Sequence, residues 1–282
     1  MQEVGISDVD FRMFRELFYR KTGIWFEETK RYFVDRRLSE RILASGNGGF
    51  RQYYQKLRSS ENASEWQALI NAMTVNETYF FREVHQFECL VNSMLEEIAE
   101  QKTRGGRIRI WCIPSSSGEE PYSVALYLLE RWRRISEFDV EILASDIDTD
   151  ALERAREGVY SARSVQYVPR EYLLKYFLPL PGGEYQLCED VRSAVAFSQI
   201  NLMDPRDTSA FTDIDVVFCR NLLIYFDDIS RRRAAETLYD ALAPGGFVCL
   251  GHSESMSRIS SLFTLRRFPD AIVYQKPFRR SA

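Results

Sequence analysis

Two short stretches of this 282-residue chain join a strand-like run to residues that can bind a polar ligand. The first, RIRIWCIPSSSGEE at 107–120, passes from a buried-looking strand through a turn of small residues into the start of a helix. The second, VEILASD at 140–146, is a strand that ends in an acid. In an α/β sheet, a turn of this kind lets a nucleoside approach the backbone, and Asp146 can accept hydrogen bonds from two ribose hydroxyls. The two stretches therefore predict a nucleoside pocket.

The turn argues against the commonest nucleotides as ligands. It contains neither G-x-G-x-x-G nor G-x-x-x-x-G-K-[ST], the patterns that hold dinucleotides and nucleoside triphosphates. S-adenosylmethionine is the nucleoside ligand that requires neither pattern, so the sequence favours it as the cofactor.

Two acids, Glu119 and Glu120, stand in the first turn of the helix that follows. Carboxylates at this place suit the positive end of the helix dipole, so both can be simple caps. Because open α/β sheets bind ligands at the carboxyl ends of their strands, a carboxylate there can instead pair with the methionine ammonium of the cofactor. Asp146 has a similar alternative, but Asp148 is the better cap for the next helix, which frees Asp146 for the ribose.

The elements that must position these residues follow from the pattern after residue 106. Strand-like runs are predicted at 107–113, 140–145, 195–199, 214–219 and 246–251. Helices are predicted between them at 119–134, 148–157 and 229–242. This alternation predicts an α/β fold with a mostly parallel sheet that helices cover on both faces. Two last runs, 262–268 and 271–276, predict a closing hairpin.

The same patterns divide the chain. Residues 1–75 are predicted to form an N-terminal helical domain, because apolar residues recur at helical spacing through most of it. Residues 76–106 are a linker and a connecting helix, and residues 107–282 hold the sheet. An insertion at about 158–194 contains prolines and a Pro-Gly-Gly, so a single helix cannot easily span it. Short strands are predicted within it at two places, 184–188 and 190–193.

Composition excludes several classes of protein. The formal net charge is −4, which argues against a nucleic-acid binder. The two histidines are too few for a histidine-rich site, and no metal is expected. The five cysteines form no C-x-x-C pair, which is typical of a reduced, cytoplasmic protein. We expect neither a membrane span nor a signal peptide in MQEVGISDVD, and we expect a monomer because no long heptad pattern is present.

Six stretches, taken in order, resemble the chemotaxis receptor methyltransferases of the CheR family. They are NETYFFRE at 76–83, SGEEPYSVAL at 117–126, ASDID at 144–148, INLMD at 200–204, FCRNLLIYFD at 218–227 and APGGFVCLGHSES at 243–255. The resemblance implies a Rossmann-like S-adenosylmethionine-dependent methyltransferase sheet, an N-terminal all-helical domain and a small β-subdomain as the insertion. It also implies an enzyme that transfers a methyl group to glutamate side chains of membrane chemoreceptors and releases S-adenosylhomocysteine.

The resemblance also implies roles for individual residues. Cofactor contacts are implied for Asn76, Thr78, Arg82, Glu119, Glu120, Asp146, Asn201, Leu202, Arg220 and Asn221. Arg82 and Tyr225 match the positions that the family places near the transferred methyl group. Taken alone, Arg82 would be interpreted as a surface ion pair and Tyr225 as a core or surface tyrosine, so these two roles depend on the motifs.

A basic helix face is the candidate partner surface. Lys30, Arg37 and Arg41 share one face by helical spacing, and the cytoplasmic signalling helices of chemoreceptors, the partner that the resemblance implies, are acidic. The alternative is a solvated charged helix, and Glu40 interrupts the basic face. In some family members the β-subdomain binds a peptide at the receptor's C-terminus by strand addition. The compact loop at 179–184 argues against that mode in this chain.

One stretch departs from the family pattern. Residues 113–118, IPSSSG, have a proline and serines where the family has alanine or glycine. Because Pro114 lacks a backbone donor, we expect the pocket to survive with a slightly different set of hydrogen bonds on the carboxylate side, and reduced cofactor affinity is the risk. Two other functions stay open: methyl transfer to a small molecule or RNA, and a docking module that binds S-adenosylmethionine or its product without catalysis.

Overall fold

The computed structural model describes residues 4–59 and 62–278 of the chain. Its helices are α1 (Asp8–Thr22), α2 (Arg31–Ala44), α3 (Phe50–Arg58), α4 (Ala63–Met73), α5 (Val84–Cys89), α6 (Leu95–Gln101), α7 (Glu119–Arg131), α8 (Thr149–Glu157), α9 (Arg170–Tyr176), α10 (Glu189–Ser193), α11 (Pro205–Thr208) and α12 (Asp228–Ala241). Its strands are β1 (Arg107–Cys112), β2 (Asp139–Asp146), β3 (Val159–Ser161), β4 (Phe177–Pro179), β5 (Glu184–Leu187), β6 (Val195–Gln199), β7 (Ile214–Cys219), β8 (Leu242–Leu250), β9 (Thr264–Arg267) and β10 (Ile272–Gln275). A π-helical turn, Leu90–Met94, joins α5 to α6.

A seven-stranded sheet in the order β6-β2-β1-β7-β8-β10-β9 organises the second part of the chain. The first five strands of this order pair in parallel, and β10 runs antiparallel to both β8 and β9. The predicted α/β fold with a mostly parallel sheet is therefore confirmed, and the predicted closing hairpin is β9–β10. The parallel strands bring their carboxyl ends to one edge, which is where an open sheet of this kind binds ligands.

Helices cover both faces of this sheet. Along β1, Ile108 and Ile110 point into one apolar core, which includes the buried face of α7, and Trp111 points into the other. The second core includes Ala234 and Leu238 of α12. The alternation follows from the two-residue period of a strand, and the double burial explains why the strands are nearly continuous apolar runs.

The helices α1–α4 pack around a separate aromatic core. Phe11, Phe14 and Phe18 recur at helical spacing on α1 and are fully buried against α2. Ser7 caps α1 as its sequence position suggests, because its hydroxyl accepts a hydrogen bond from the backbone N–H of Asp10. These helices form an all-helical layer beside the carboxyl edge of the sheet. The exact domain limits at 75 and 106 stay predictions.

The insertion forms a small antiparallel sheet in the order β3-β5-β4. The predicted strand at 184–188 corresponds to β5, but the strand predicted at 190–193 is wrong, because this segment is the helix α10. Cys188 is extended and the acids Glu189 and Asp190 occupy the first helical turn, where carboxylates are favourable. Only Val191 is buried in α10, and a single apolar residue in five cannot distinguish a strand from a helix turn.

Candidate active site

A cavity of about 510 Å³ lies between the carboxyl edge of the sheet and the N-terminal helices. The residues predicted from sequence that line it are Lys30, Asn76, Thr78, Arg82, Glu120, Asp146, Asn201, Leu202, Arg220, Asn221 and Tyr225. Glu119, Arg37 and Arg41 lie outside its wall as far as the described residues define it. The structure therefore places around one cavity side chains that lie far apart in the sequence, from Lys30 to Tyr225.

Asp146 forms one end of the cavity and closes the turn after β1. Its Oδ2 accepts a hydrogen bond from the backbone N–H of Ser116 at 2.7 Å, and its Oδ1 accepts one from the N–H of Asp148 at 2.9 Å. Burial raises the pKa of the Asp146 carboxyl to about 6, against the lowering effect of these N–H donors. Each oxygen keeps a second lone pair, so the carboxylate can still accept ribose hydroxyls.

Asp148 is the helix cap that its sequence position suggested, and it also holds the connecting segment. Its Oδ1 accepts from the N–H of Ala151 at 3.0 Å, which caps α8. Its Oδ2 accepts from the Thr74 hydroxyl and from the Asn76 amide, each at 2.6 Å. Asn76 is thereby fixed at the edge of the cavity, with its Oδ1 3.3 Å from the Ser116 hydroxyl.

The acid pair at the start of α7 is divided between two environments. The Glu119 carboxylate accepts hydrogen bonds from the Ser117 and Ser164 hydroxyls, both at 2.8 Å, and so ties the turn to the insertion. Glu120 points into the cavity instead, where its Oε2 accepts from Arg220 Nη1 at 2.7 Å. Its Oε1 is buried and has no hydrogen-bond partner among the described residues. Burial raises the pKa of Glu120 to about 7, although Arg220 opposes this shift.

An unpartnered, buried carboxylate oxygen is costly, so its presence in a ligand cavity indicates a missing donor. The Ser115 hydroxyl, which also lines the cavity, is buried without a partner in the same described part of the chain. A cationic amine that reaches Glu120 Oε1 would satisfy it, and the methionine part of S-adenosylmethionine carries such an ammonium group. The cavity thus offers an acceptor for each end of this cofactor: Glu120 Oε1 for its ammonium group and the Asp146 carboxylate for its ribose.

Gly118 precedes α7 with a φ of 95°, a conformation that favours glycine. A Cβ at this position would lie 2.8 Å from Tyr122 Cε2 and 3.0 Å from the Ala155 Cβ. The turn can therefore follow its path into α7 only with glycine here, which explains the residue type between the serines and the acids.

Arg82 and Tyr225 approach the cavity from two different segments. Arg82 is half-buried, and its Nη1 donates to the backbone carbonyl of Glu77 at 2.9 Å. The residues on each side of it, Phe81 and Glu83, both have left-handed backbone conformations, with φ of 59° and 58°. Strained non-glycine residues of this kind cluster at functional sites, where the surrounding packing holds them. Burial raises the pKa of the Tyr225 phenol, which lines the cavity.

The loop after β7 carries two predicted cofactor residues, Arg220 and Asn221. Asn221 has a φ of 59°, and its N–H donates to Glu254 Oε2 at 2.8 Å. Glu254 also accepts from the N–H groups of Leu223 and Gly251 and so fixes the loop. The sequence assigned no role to Glu254, because two of its partners, Asn221 and Leu223, lie 33 and 31 residues earlier in the chain.

The helical layer also contacts the loops that follow β6 and β7. The Tyr19 hydroxyl donates to both carboxylate oxygens of Asp227, and the backbone N–H of Trp25 donates to the carbonyl of Tyr225 at 3.1 Å. The Asn201 side chain donates to the carbonyl of Lys21 at 2.8 Å. The helical layer also adds apolar wall residues that the sequence analysis did not predict, namely Trp25, Phe26 and Phe33.

The three predicted partner-binding cations have different surroundings. The Arg41 guanidinium donates to both carboxylate oxygens of Glu65, to which the Tyr53 hydroxyl also donates. Arg37 lies over the Phe33 ring, with 3.6 Å from its Cζ to the ring centroid. Lys30 is exposed at the cavity wall.

Two further properties concern residues 4–59 and 62–278. In these ranges no group of histidine, cysteine, aspartate or glutamate side chains is arranged to hold a metal ion. None of the helices in them is both long and apolar enough to cross a membrane.

The fold and the cavity define a class of protein, the S-adenosylmethionine-dependent methyltransferases. Residues 76–272 match the SAM-binding domain of the CheR methyltransferases, and residues 9–74 match the all-alpha domain of the same proteins. Because these two matches cover most of the chain, it belongs to the CheR methyltransferase family, and S-adenosylmethionine is its cofactor.

Individual proteins are similar over nearly their whole length. The chain is 53% identical to chemotaxis protein methyltransferase 2 of Vibrio cholerae over 279 residues, which cover 99% of this chain and 96% of that protein. It is 38% identical to chemotaxis protein methyltransferase 2 of Pseudomonas aeruginosa over 93% of this chain and 91% of that one. Identity to the chemotaxis protein methyltransferase of Salmonella typhimurium is 34% over 94% and 90% of the two chains.

Proposed function

We propose that this chain transfers the methyl group of S-adenosylmethionine to glutamate side chains of chemoreceptors and so forms glutamate methyl esters. The observation that carries the proposal is the single cavity in which Asp146, the unpartnered Glu120 oxygen, Arg82 and Tyr225 meet. The names of its relatives, which are chemotaxis protein methyltransferases, support chemoreceptors as the acceptor. The other functions that the sequence left open, a different acceptor or a docking module, become outcomes of the test.

The chain's residues hold the two ends of the cofactor. Asp146 would accept the ribose hydroxyls, and Glu120 would accept the ammonium through the oxygen that Arg220 does not bind. Asn201 and Leu202 line the same space on the side that the resemblance assigns to adenine. When bound, S-adenosylmethionine supplies a methyl group on a sulfonium, which is a good leaving group.

Proton transfer is not required of the enzyme when the acceptor is a carboxylate. A glutamate side chain has an ordinary pKa of about 4.3, so it is ionised and nucleophilic at neutral pH. His252 lies outside the described wall of the cavity, with its Nδ1 3.0 Å from Glu83 Oε1. The task of the protein is therefore to align acceptor and donor, and such alignment alone contributes several kcal/mol to catalysis.

Arg82 and Tyr225 are the groups that would align the acceptor. The Arg82 guanidinium can hold one carboxylate oxygen, and the Tyr225 hydroxyl can donate to the same carboxylate while it remains protonated, as its raised pKa ensures. Because Arg82 Nη1 already donates to the Glu77 carbonyl, the Arg82 guanidinium neutralises the acceptor carboxylate only in part. Incomplete neutralisation favours transfer, because an acceptor that is bound too tightly in the ground state reacts more slowly.

The acidic signalling helix of a receptor would approach from the side of α2. Lys30 at the cavity wall and Arg37 near it supply positive charge that can orient such a helix. Arg41 adds to the positive charge of the same helix, but its guanidinium is committed to Glu65. That the β-subdomain of this chain does not bind a peptide at the receptor's C-terminus stays a prediction.

The test is methyl transfer to a purified receptor signalling fragment with methyl-labelled S-adenosylmethionine. We expect label in the fragment that mild alkali releases as methanol, and no label when the methylatable glutamates are changed to alanine. Label that resists alkali would indicate another acceptor group. Cofactor binding by calorimetry without any transfer would favour the docking module.

A further inference from the structure

A buried cluster of three charged side chains lies against the cavity. Arg220 is at its centre, with its side chain only 2% exposed. Its Nη1 donates to Glu120 Oε2 at 2.7 Å, and its Nη2 lies 3.2 Å from Glu83 Oε2. The same Nη2 donates to the backbone carbonyl of Arg82 at 2.7 Å. When all three groups are ionised, the cluster has two carboxylates and one guanidinium, so it lacks one positive charge.

We propose that Glu83 is a positioning residue of the cofactor site, because it shares the Arg220 guanidinium with Glu120 and so keeps one Glu120 oxygen free for a cationic group. The inference rests on the proposed function in one respect, namely that the cofactor's ammonium is this cationic group. Glu83 ends the motif NETYFFRE, but neither the roles that the resemblance implies nor the wall of the cavity includes it.

Glu83 is itself held in a fixed place. Its backbone has a left-handed φ of 58° at the start of α5. Its Oε2 accepts from the Gln86 side chain at 2.8 Å, and its Oε1 faces the His252 ring nitrogen at 3.0 Å. With Arg220 on the third side, the Glu83 carboxylate cannot move without losing several partners. It therefore acts as a fixed anchor for the Arg220 side chain.

The anchor determines how Arg220 meets Glu120. A free guanidinium binds a carboxylate most strongly through two parallel N–H groups, which would occupy both Glu120 oxygens. Here Nη2 is used by Glu83 and by the Arg82 carbonyl, so only Nη1 reaches Glu120. Arg220 Nε and Glu120 Oε1 both stay without partners among the described residues. Removal of the anchor would let Arg220 rotate toward a two-point contact and cover the free oxygen.

The anchor also acts through its charge. The negative charge of Glu83 is one of the causes that raise the pKa of Glu120, after burial, which is the largest. Other titratable groups that face Glu120 are Arg82 and the buried thiols of β1, β7 and β8, namely Cys112, Cys219 and Cys249. His252 faces Glu83 from the end of β8. A neutral residue at 83 would therefore lower the pH at which Glu120 ionises.

The test is calorimetric titration of the full chain with S-adenosylmethionine and S-adenosylhomocysteine between pH 5.5 and 8.5. In Glu83→Gln, which keeps the side-chain shape, we expect affinity for both ligands at pH 8.5 to fall at least about fivefold. We expect the pH midpoint of binding, near 7 in the natural chain because Glu120 must be ionised, to move down by about one unit. Glu83→Asp keeps the charge and should keep the natural midpoint.

Controls separate this role from a structural one. Glu97 lies on α6, away from the cavity, and its carboxylate pairs with Arg266 at 2.6 Å. Glu97→Gln should therefore change neither the affinity for the ligands nor the pH midpoint of binding. The pH series is repeated in a His252→Gln background, where the same shift is expected if Glu83 is its source. The inference would be overturned if the pH midpoint of binding were unchanged in Glu83→Gln, or if it moved equally in Glu83→Asp. It would also be overturned if the midpoint moved in Glu83→Gln only when His252 is present. A natural chain that binds neither ligand at any pH would overturn both this inference and the proposed function, whereas binding without methyl transfer would overturn only the latter.

Discussion

The backbone N–H of Ser116 donates to the carboxylate of Asp146 at 2.7 Å across a separation of 30 residues. This bond joins the turn after β1 to the end of β2, so the shape of the turn and the position of the carboxylate depend on each other. Ser116 has a left-handed φ of 48°, which directs its N–H toward Asp146. The serines and the proline that distinguish this turn from the family pattern therefore leave the link to Asp146, the proposed ribose acceptor, in place.

Asp146→Ala should weaken cofactor binding by about 100-fold. The change removes the proposed acceptor for two ribose hydroxyls, and two hydrogen bonds to a charged group contribute about 3 kcal/mol, which is a factor of about 100 in affinity. It also removes the acceptor for the N–H groups of Ser116 and Asp148, which destabilises the chain with and without ligand. Calorimetry with S-adenosylhomocysteine checks this. Asp139→Ala, at the exposed start of the same strand, is the matched control and should bind as the natural chain does. Affinity within threefold of natural in Asp146→Ala would exclude this residue from the site.

Arg82→Ala should lower turnover by about 100-fold, because loss of one well-placed charged donor at the reacting groups has effects of this size. The fold should persist, since the Arg82 side chain is half-buried and, among the described residues, its guanidinium donates to the backbone carbonyl of the exposed Glu77. Turnover with a receptor fragment and thermal unfolding are measured together. Arg163→Ala, which removes an exposed arginine 3.6 Å from Glu77, is the control. Natural turnover in Arg82→Ala would remove this residue from the mechanism.

The stability of the cofactor-free chain should fall as the pH rises from about 5 to 8. Burial raises the pKa of Asp146 to about 6 and that of Glu120 to about 7, above their values in an unfolded chain. The folded chain therefore holds more protons than the unfolded one in this range, and stability decreases with pH as these carboxyls ionise. S-adenosylhomocysteine should reverse the trend, since it binds the ionised forms. Thermal melting with and without this ligand is the measurement, and a ligand effect that shrinks as pH rises would contradict the assignment.

The sequence was sufficient for the fold and for much of the cavity wall because both depend on regular patterns. Alternating strands and helices predict a parallel sheet, and the end of a strand predicts the position of Asp146. The sequence could not divide the roles of Glu119 and Glu120. Adjacent residues on a helix point about 100° apart, so which of them faces a ligand depends on how α7 is rotated on the sheet.

The remaining site residues could not be predicted from the sequence, because their contacts join parts of the chain that are far apart. Glu254 acts on a loop that begins 33 residues earlier, and the contact of Glu83 with Arg220 spans β1 and β7. Trp25 and Phe26 reach the cavity only because the helical layer docks against the sheet. Charge spacing over residues 30–41 likewise predicted a common face for three cations but not that Glu65 binds one of them, since Glu65 belongs to another helix.

Arg41→Ala should destabilise the helical domain rather than weaken receptor binding directly. Glu65 is 8% exposed, and without Arg41 its carboxylate would keep, among the described residues, the Tyr53 hydroxyl alone as a partner, at a cost of about 2 to 3 kcal/mol. Arg36→Ala breaks a neighbouring pair with Glu40 whose side chains are 67% and 55% exposed, and exposed pairs contribute little. Urea unfolding of both variants compares the two. If Arg41→Ala is as stable as Arg36→Ala but methylates a receptor fragment more slowly, Arg41 belongs to the partner surface after all.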